Sequence, residues 1–150
     1  MISQRQMFLQ NVAQTSDAPL MLEIEKAEGV YLYDTDGKKY IDLISGISVS
    51  NVGHCHPKVV AAVQNQSAKY MHTMVYGEYV LSPQAELAAY LTGLLPTSLD
   101  SVYFVNSGAE ATEGAMKIAK RSTNRSEIIS CKNAYHGSTH GALSILGDEY

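Results

Sequence analysis

The sequence is poor in thiols, in clustered positive charge and in long apolar runs. Only two cysteines occur in 150 residues, Cys55 and Cys131. Two isolated thiols build no disulfide framework, which argues against a stapled secreted scaffold and for a reducing compartment. The net charge is −4 and no group of Lys or Arg gathers anywhere. A nucleic-acid partner needs a concentrated basic face, so that class of function is disfavoured. The opening Met1-Ile-Ser-Gln-Arg-Gln-Met-Phe-Leu-Gln has no apolar core of signal-peptide length, and no stretch approaches a membrane span. Internal repeats and low-complexity tracts are absent as well. What remains is 45% hydrophobic and 17% charged. That profile, at this length, predicts a globular cytoplasmic protein able to bury a core.

Local patterns divide the chain into two organisations. Residues 3–13 read as a short helix or an arm that needs a partner surface. Met21–Lys26, Val30–Asp34 and Lys39–Leu43 alternate as strands do, separated by Ala27-Glu-Gly29 and Asp34-Thr-Asp-Gly37. A three-stranded antiparallel meander is expected there. A polar loop follows over 44–56. Pro57 then opens a helix with a Val59, Val60, Val63 stripe, a position where the missing N–H is harmless. Ser82-Pro83 opens another, with Ser82 expected as N-cap and Leu87, Leu91, Leu94 and Leu95 as its stripe, stopped by Pro96. Val102–Val105 as strand, Ala109–Arg121 as helix and Glu127–Cys131 as strand predict a right-handed βαβ unit. Gly141–Leu146 starts one more helix. The expected fold class is α/β: a small N-terminal meander, then the start of a parallel-type sheet with flanking helices. The expected domains are 1–55 and 56–150.

The junction Asn106-Ser-Gly-Ala-Glu carries the most chemistry. A helix N-terminus presents unpaired N–H groups and the positive end of the macrodipole, so a small-residue turn there is a ready phosphate site. Taken alone, Ser107-Gly108-Ala109 is equally an ordinary βα turn. Glu110 and Glu113 read as first-turn acids that favour the dipole. Tyr135-His136-Gly137 falls at the carboxyl end of the next strand, where ligands of open α/β sheets gather. The coincidence favours a site for a phosphorylated, flat cofactor. His54-Cys55-His56 is better read as a capped turn than as a metal cluster, since alternate loop residues lack further ligands. Tyr70, Tyr76, Tyr79 and Tyr90 read as half-buried packing residues.

Four ordered motifs carry a family resemblance: Gly29–Leu43, Gly46–Pro57, Asn106–Glu113 and Tyr135–Gly137. They resemble the class III aminotransferases, pyridoxal-phosphate enzymes of fold type I, over residues 18 to 147. The resemblance implies that Ser107, Gly108 and Ala109 cradle the cofactor phosphate through backbone N–H groups, with Gly108 adopting an unusual φ if the approach needs it. It implies that Tyr135 lies on the pyridine ring, and that His136 and Gly137 shape the same wall. Ile47 and Tyr76 match substrate-channel positions; ornithine aminotransferases carry Tyr at the position of Ile47. Several members carry a carboxylate-gripping Arg directly after the His-Gly pair, where this chain has Ser138. Losing a bidentate clamp changes the accepted substrate. That leaves amines and ω-amino acids as donors and a 2-oxo acid as acceptor.

The resemblance also implies a Schiff-base lysine and an aspartate on the pyridine nitrogen. None of the lysines, from Lys26 to Lys132, sits in the family's lysine context. The chain is therefore expected to be the N-terminal part of an aminotransferase, without transaminase activity alone, lacking a catalytic residue of its own, binding no metal, and acting as a homodimer. A non-catalytic module for a phosphorylated ligand, or an aminomutase or decarboxylase of the same fold, are the competing readings.

Overall fold

The computed structural model describes residues 2–74 and 77–147. The chain divides into two compact units, Met1–Glu78 and Tyr79–Tyr150. Each is built from short elements, taken here in turn.

In the first unit, α1 spans Gln4–Asn11. Ser3 caps it with a reciprocal box: Ser3 Oγ accepts from Gln6 N–H, and Gln6 Oε1 accepts from Ser3 N–H. Two orphan donors are satisfied at once, which suits a helix too short to hold itself. The expected meander follows as β1 (Ile24–Glu28), β2 (Tyr31–Asp34) and β3 (Lys39–Ile41), antiparallel in that order. Gly29, at φ +58°, sits in the two-residue connection that lets Glu28 pair with Tyr31. Asp34 organises the second turn. Its Oδ1 accepts from Asp36 and Lys38 N–H, and its Oδ2 accepts from the Tyr40 hydroxyl at 2.7 Å. The Asp and Gly at the ends of that turn are therefore there for local bonding and for positive φ (+77° at Gly37).

The loop after β3 is ordered by one pair. His54 Nε2 and Asp42 Oδ2 lie 2.7 Å apart, and Asp42 Oδ1 accepts from Ile44 and Ser45 N–H. Gly29 and His54 exchange both backbone hydrogen bonds. The one-turn α2 (Ser45–Ser48) is left-handed at Gly46 and Ile47, and Ser45 and Ser48 also have positive φ. Left-handed backbone at a β-branched residue is strained and needs a surrounding structure that imposes it. The Asp42–His54 pair anchors that segment. His56 accepts from Lys58 N–H and caps α3 (Pro57–Ser67), with Pro57 in its first turn. Both histidines are thus absorbed by the fold, as the capped-turn reading expects. Among the described residues no group of three metal-ligating side chains exists.

Hydrogen bonds from His54, Ser45 and Ile44 hold the Asp42 carboxyl below the ordinary aspartate value of 3.8. Its folded value lies below its unfolded one. The stabilisation is therefore complete above the unfolded value and disappears as pH falls through the folded one. In the full-length protein, Asp42→Ala should lower the thermal midpoint at neutral pH. The gap between variant and parent should close once pH falls well below 4, as followed by circular dichroism. A gap independent of pH would show that the carboxylate charge plays no part.

The second unit contains α4 (Ser82–Leu94), α5 (Gly108–Thr123) and α6 (His140–Leu143). Leu81, not Ser82, is the N-cap of α4, and no side chain caps it. Pro83 still stands in the first turn, where its missing N–H costs no helix bond. The expected strands Val102–Val105 and Glu127–Cys131 pair with nothing among the described residues, so no βαβ unit forms. Their sequences favour extension, but a strand exists only through bonds to a neighbour. The helix expected from Gly141 is the single turn of α6, begun by the Thr139 cap.

The expected core is not found. Among the described residues only Ala142 is buried. Val63 is 62% exposed and Leu94 67%, so neither apolar stripe read from the sequence is buried, and Ile118 (64%) and Ile129 (100%) are exposed as well. Length and hydrophobic content permit a core, but burial needs a second apolar layer against each stripe. No helix among the described residues is long and apolar enough to cross a membrane.

Candidate functional site

The strongest chemistry in the second unit gathers at the N-terminus of α5. Ser107 is its N-cap, extended at φ −149°, and Ser107 Oγ accepts from Glu110 N–H at 3.1 Å. Ala111 N–H donates to Ser107 O. Gly108 and Ala109 N–H have no protein partner among the described residues. Two convergent donors at the positive end of a 16-residue helix are what an anion requires. The Ser107 hydroxyl proton is a third donor, since accepting one bond leaves it free to give another. Glu110 contributes opposite charge nearby, yet its Oε2 is held by Asn106 N–H at 2.7 Å.

Gly108 is an ordinary helical residue without positive φ, so the expected unusual backbone is not needed. Its role is space. A Cβ built on Gly108 meets nothing within 4 Å, so the helix end there is open to a ligand. Phosphate oxygens of about atomic-contact size fit against such a bare backbone.

The structure brings the Tyr135–Ser138 segment to this same helix end. Gly137, at φ +118°, lies so close that a Cβ on it would stand 2.5 Å from Ala109 Cβ and 2.9 Å from its Cα. Tyr135 is 68% exposed, with its hydroxyl 2.8 Å from Ser138 Oγ. An exposed aromatic residue two positions before the glycine that meets Ala109 is compatible with a phosphorylated heteroaromatic. His136 lies between Tyr135 and Gly137 in this segment. Ile47 belongs to the first unit, where it is 85% exposed in its left-handed turn. Tyr76 lies outside the described residues.

Sequence reasoning missed one member. Glu113, read there as a first-turn acid, lies beyond the first turn, whose acid is Glu110. Its Oε1 accepts from Gly141 N–H at 3.2 Å. Hydrogen bonds from Thr139 and Gly141, with Lys117 and His140 nearby, hold its carboxyl below the usual glutamate value. No spacing rule signals a contact between residues 28 apart. Only the fold of the 124–140 connection creates it.

The family model described as aminotransferase class-III matches residues 12–150. The acetylornithine aminotransferase of Methanosarcina mazei is 45% identical over 83% of this chain and 30% of its own length. That of Archaeoglobus fulgidus is 41% identical over 84% of this chain and 32% of its own. Among solved structures, taurine:2-oxoglutarate aminotransferase from Bifidobacterium kashiwanohense, in complex with PLP and glutamate, superimposes with a TM-score of 0.84 at 37% identity. It covers 95% of this chain and 32% of that one. Adenosylmethionine-8-amino-7-oxononanoate aminotransferase from Methanocaldococcus jannaschii gives 0.86 at 32% identity, over 95% and 35%. The chain thus spans about a third of the length of these relatives.

Proposed function

Because the chain belongs to the class III aminotransferase family, we propose that the protein carrying it moves an amino group from an amine or ω-amino acid to a 2-oxo acid, using pyridoxal 5'-phosphate. The observation that carries this reading is the α5 N-terminus. Two free N–H groups, an open face at Gly108 and the Tyr135–Ser138 wall stand together there. When bound, the cofactor supplies the electron sink and carries the amino group between the two substrates.

The chain's own residues bind and orient. Gly108 and Ala109 N–H, with the Ser107 hydroxyl, hold the phosphate. The Tyr135 ring covers one ring face, and His136 and Gly137 complete the wall. Ile47, Tyr76 and Ser138 border the substrate. The donor choice rests on position 138. Ser138 supplies a hydroxyl already engaged with Tyr135, not a guanidinium fork, so no bidentate carboxylate grip arises from it. The sequence relatives named above are acetylornithine aminotransferases.

Under this reading, residues 1–55 are the arm and meander of a small domain and 56–150 begin the cofactor domain. The protein is cytoplasmic and homodimeric, and the exposed apolar residues are covered in the complete assembly.

The full-length protein should retain pyridoxal phosphate through dialysis, show its visible absorption, and aminate a 2-oxo acid at the expense of an amine. Retaining no cofactor, or transferring no amino group from any amine or ω-amino acid, would sink the proposal. Tyr135→Phe should bind the cofactor nearly as the parent does, because the ring face stacks. Tyr135→Ala should lose about 1–3 kcal/mol of binding, the scale of aromatic–base stacking. Equal affinity in the alanine variant would make Tyr135 a surface residue without a role in the wall.

A further inference from the structure

We propose that Glu113 is a positioning residue for the cofactor wall: its carboxylate docks the start of α6 onto α5 and so fixes the segment Tyr135–Ser138 at the helix N-terminus. The inference rests on the proposed cofactor site and deepens it.

Two contacts hold the wall, and they have the same spacing on both sides. Ala109 and Glu113 are four residues apart in α5, so they lie on one face, a turn apart. Gly137 and Gly141 are four residues apart in the docked segment. Gly137 meets Ala109, and Gly141 N–H donates to Glu113 Oε1 at 3.2 Å. One contact alone leaves the segment free to pivot. Two contacts a turn apart fix its direction along the helix.

Both glycines lie close to α5, Gly137 against Ala109 and Gly141 against the movable end of Glu113. A Cβ on Gly141 would stand 2.8 to 3.1 Å from the Glu113 carboxylate. Between the two anchors the chain is stiffened by a cap, Thr139 Oγ1 accepting from Ala142 N–H at 3.4 Å. Ala142, which follows Gly141, is fully buried. Displacement at Gly141 is therefore passed to Gly137 and to the Tyr135 ring. The phosphate donors themselves, on Ser107 to Ala109, do not depend on Glu113.

That separation defines the test. In the full-length protein, pyridoxal phosphate is titrated by its absorption change, and inorganic phosphate by competition with it. Glu113→Ala should weaken pyridoxal phosphate about tenfold, the loss of a hydrogen bond to a charged group, and leave inorganic phosphate unchanged. Glu113→Gln keeps an oxygen acceptor for Gly141 N–H and should restore most of the affinity. Gly141→Ala displaces only the far end of a flexible side chain, so it should fold and reproduce the alanine phenotype. Parental cofactor affinity in Glu113→Ala and Gly141→Ala would overturn the inference. A parallel loss of inorganic phosphate would also overturn it, by showing general damage to the helix end. A parent that binds neither ligand would refute the cofactor site itself, and the inference with it.

Discussion

Gly137→Ala should nearly abolish cofactor binding in the full-length protein and lower its stability. Two costs add at this position. An L-residue at φ +118° leaves the allowed backbone, which costs on the order of 1–2 kcal/mol. The new methyl would also stand 2.5 Å from Ala109 Cβ, and overpacking of this kind costs about 1–3 kcal/mol. The segment can relieve both only by leaving the α5 N-terminus. Tyr135 and His136 then lose their place, so the stacking contribution goes as well. A combined loss of about 2–5 kcal/mol corresponds to a fall in cofactor affinity of about thirtyfold to several thousandfold. Ala109→Gly should rescue the double variant only in part. It removes the Cβ partner, but Ala109 Cα at 2.9 Å and the positive φ remain. Calorimetric titration and a thermal melt on the three proteins decide it. Unchanged affinity in Gly137→Ala would mean that the wall does not sit on Ala109 in the full-length protein.

Gly108→Val should give the complementary result: a large loss of cofactor with little loss of fold. Gly108 is helical, and a Cβ there meets no protein atom within 4 Å. Nothing in the chain opposes the side chain, and valine is a slightly better helix residue than glycine. Stability should therefore stay within about 0.5 kcal/mol of the parent. The two methyls instead enter the space from which the Gly108 and Ala109 N–H groups would reach the phosphate. Losing two charge-assisted bonds should cost on the order of 3 kcal/mol, near a hundredfold in affinity. Gly108→Ala, smaller by two carbons, should fall between. A Gly108→Val protein that melts like the parent and binds pyridoxal phosphate like the parent would move the phosphate site elsewhere. One that fails to fold would show that the space at Gly108 is filled by other parts of the protein.

These two glycines differ in how readable they are. Gly108 follows an N-cap serine at the start of a strongly amphipathic segment, and its place at a helix N-terminus follows from that local order. Gly137 follows Tyr-His in a loop, and nothing local reveals that Ala109 is its neighbour. The meander is legible for the same reason as Gly108. Alternating residues, Gly29 and the Asp34–Gly37 turn make bonds within a few residues of themselves. Pro57 and the histidine cap before it are likewise local chemistry.

The sequence by itself determined the helices opened at Pro57, at Ser82-Pro83 and after Ser107, the three-stranded meander and the family resemblance. Those features depend on backbone bonds and side-chain periods that span a turn or a hairpin. Only the tertiary structure decided that Glu113 reaches Gly141, that Gly137 seats on Ala109, and that His54 belongs to Asp42. It also decided that Val102–Val105 and Glu127–Cys131 have no ladder, and that the apolar stripes stay uncovered among the described residues. Strand pairing and burial are relations between distant segments. A residue's own pattern states its willingness to enter them, and the presence of the partner surface decides whether it does.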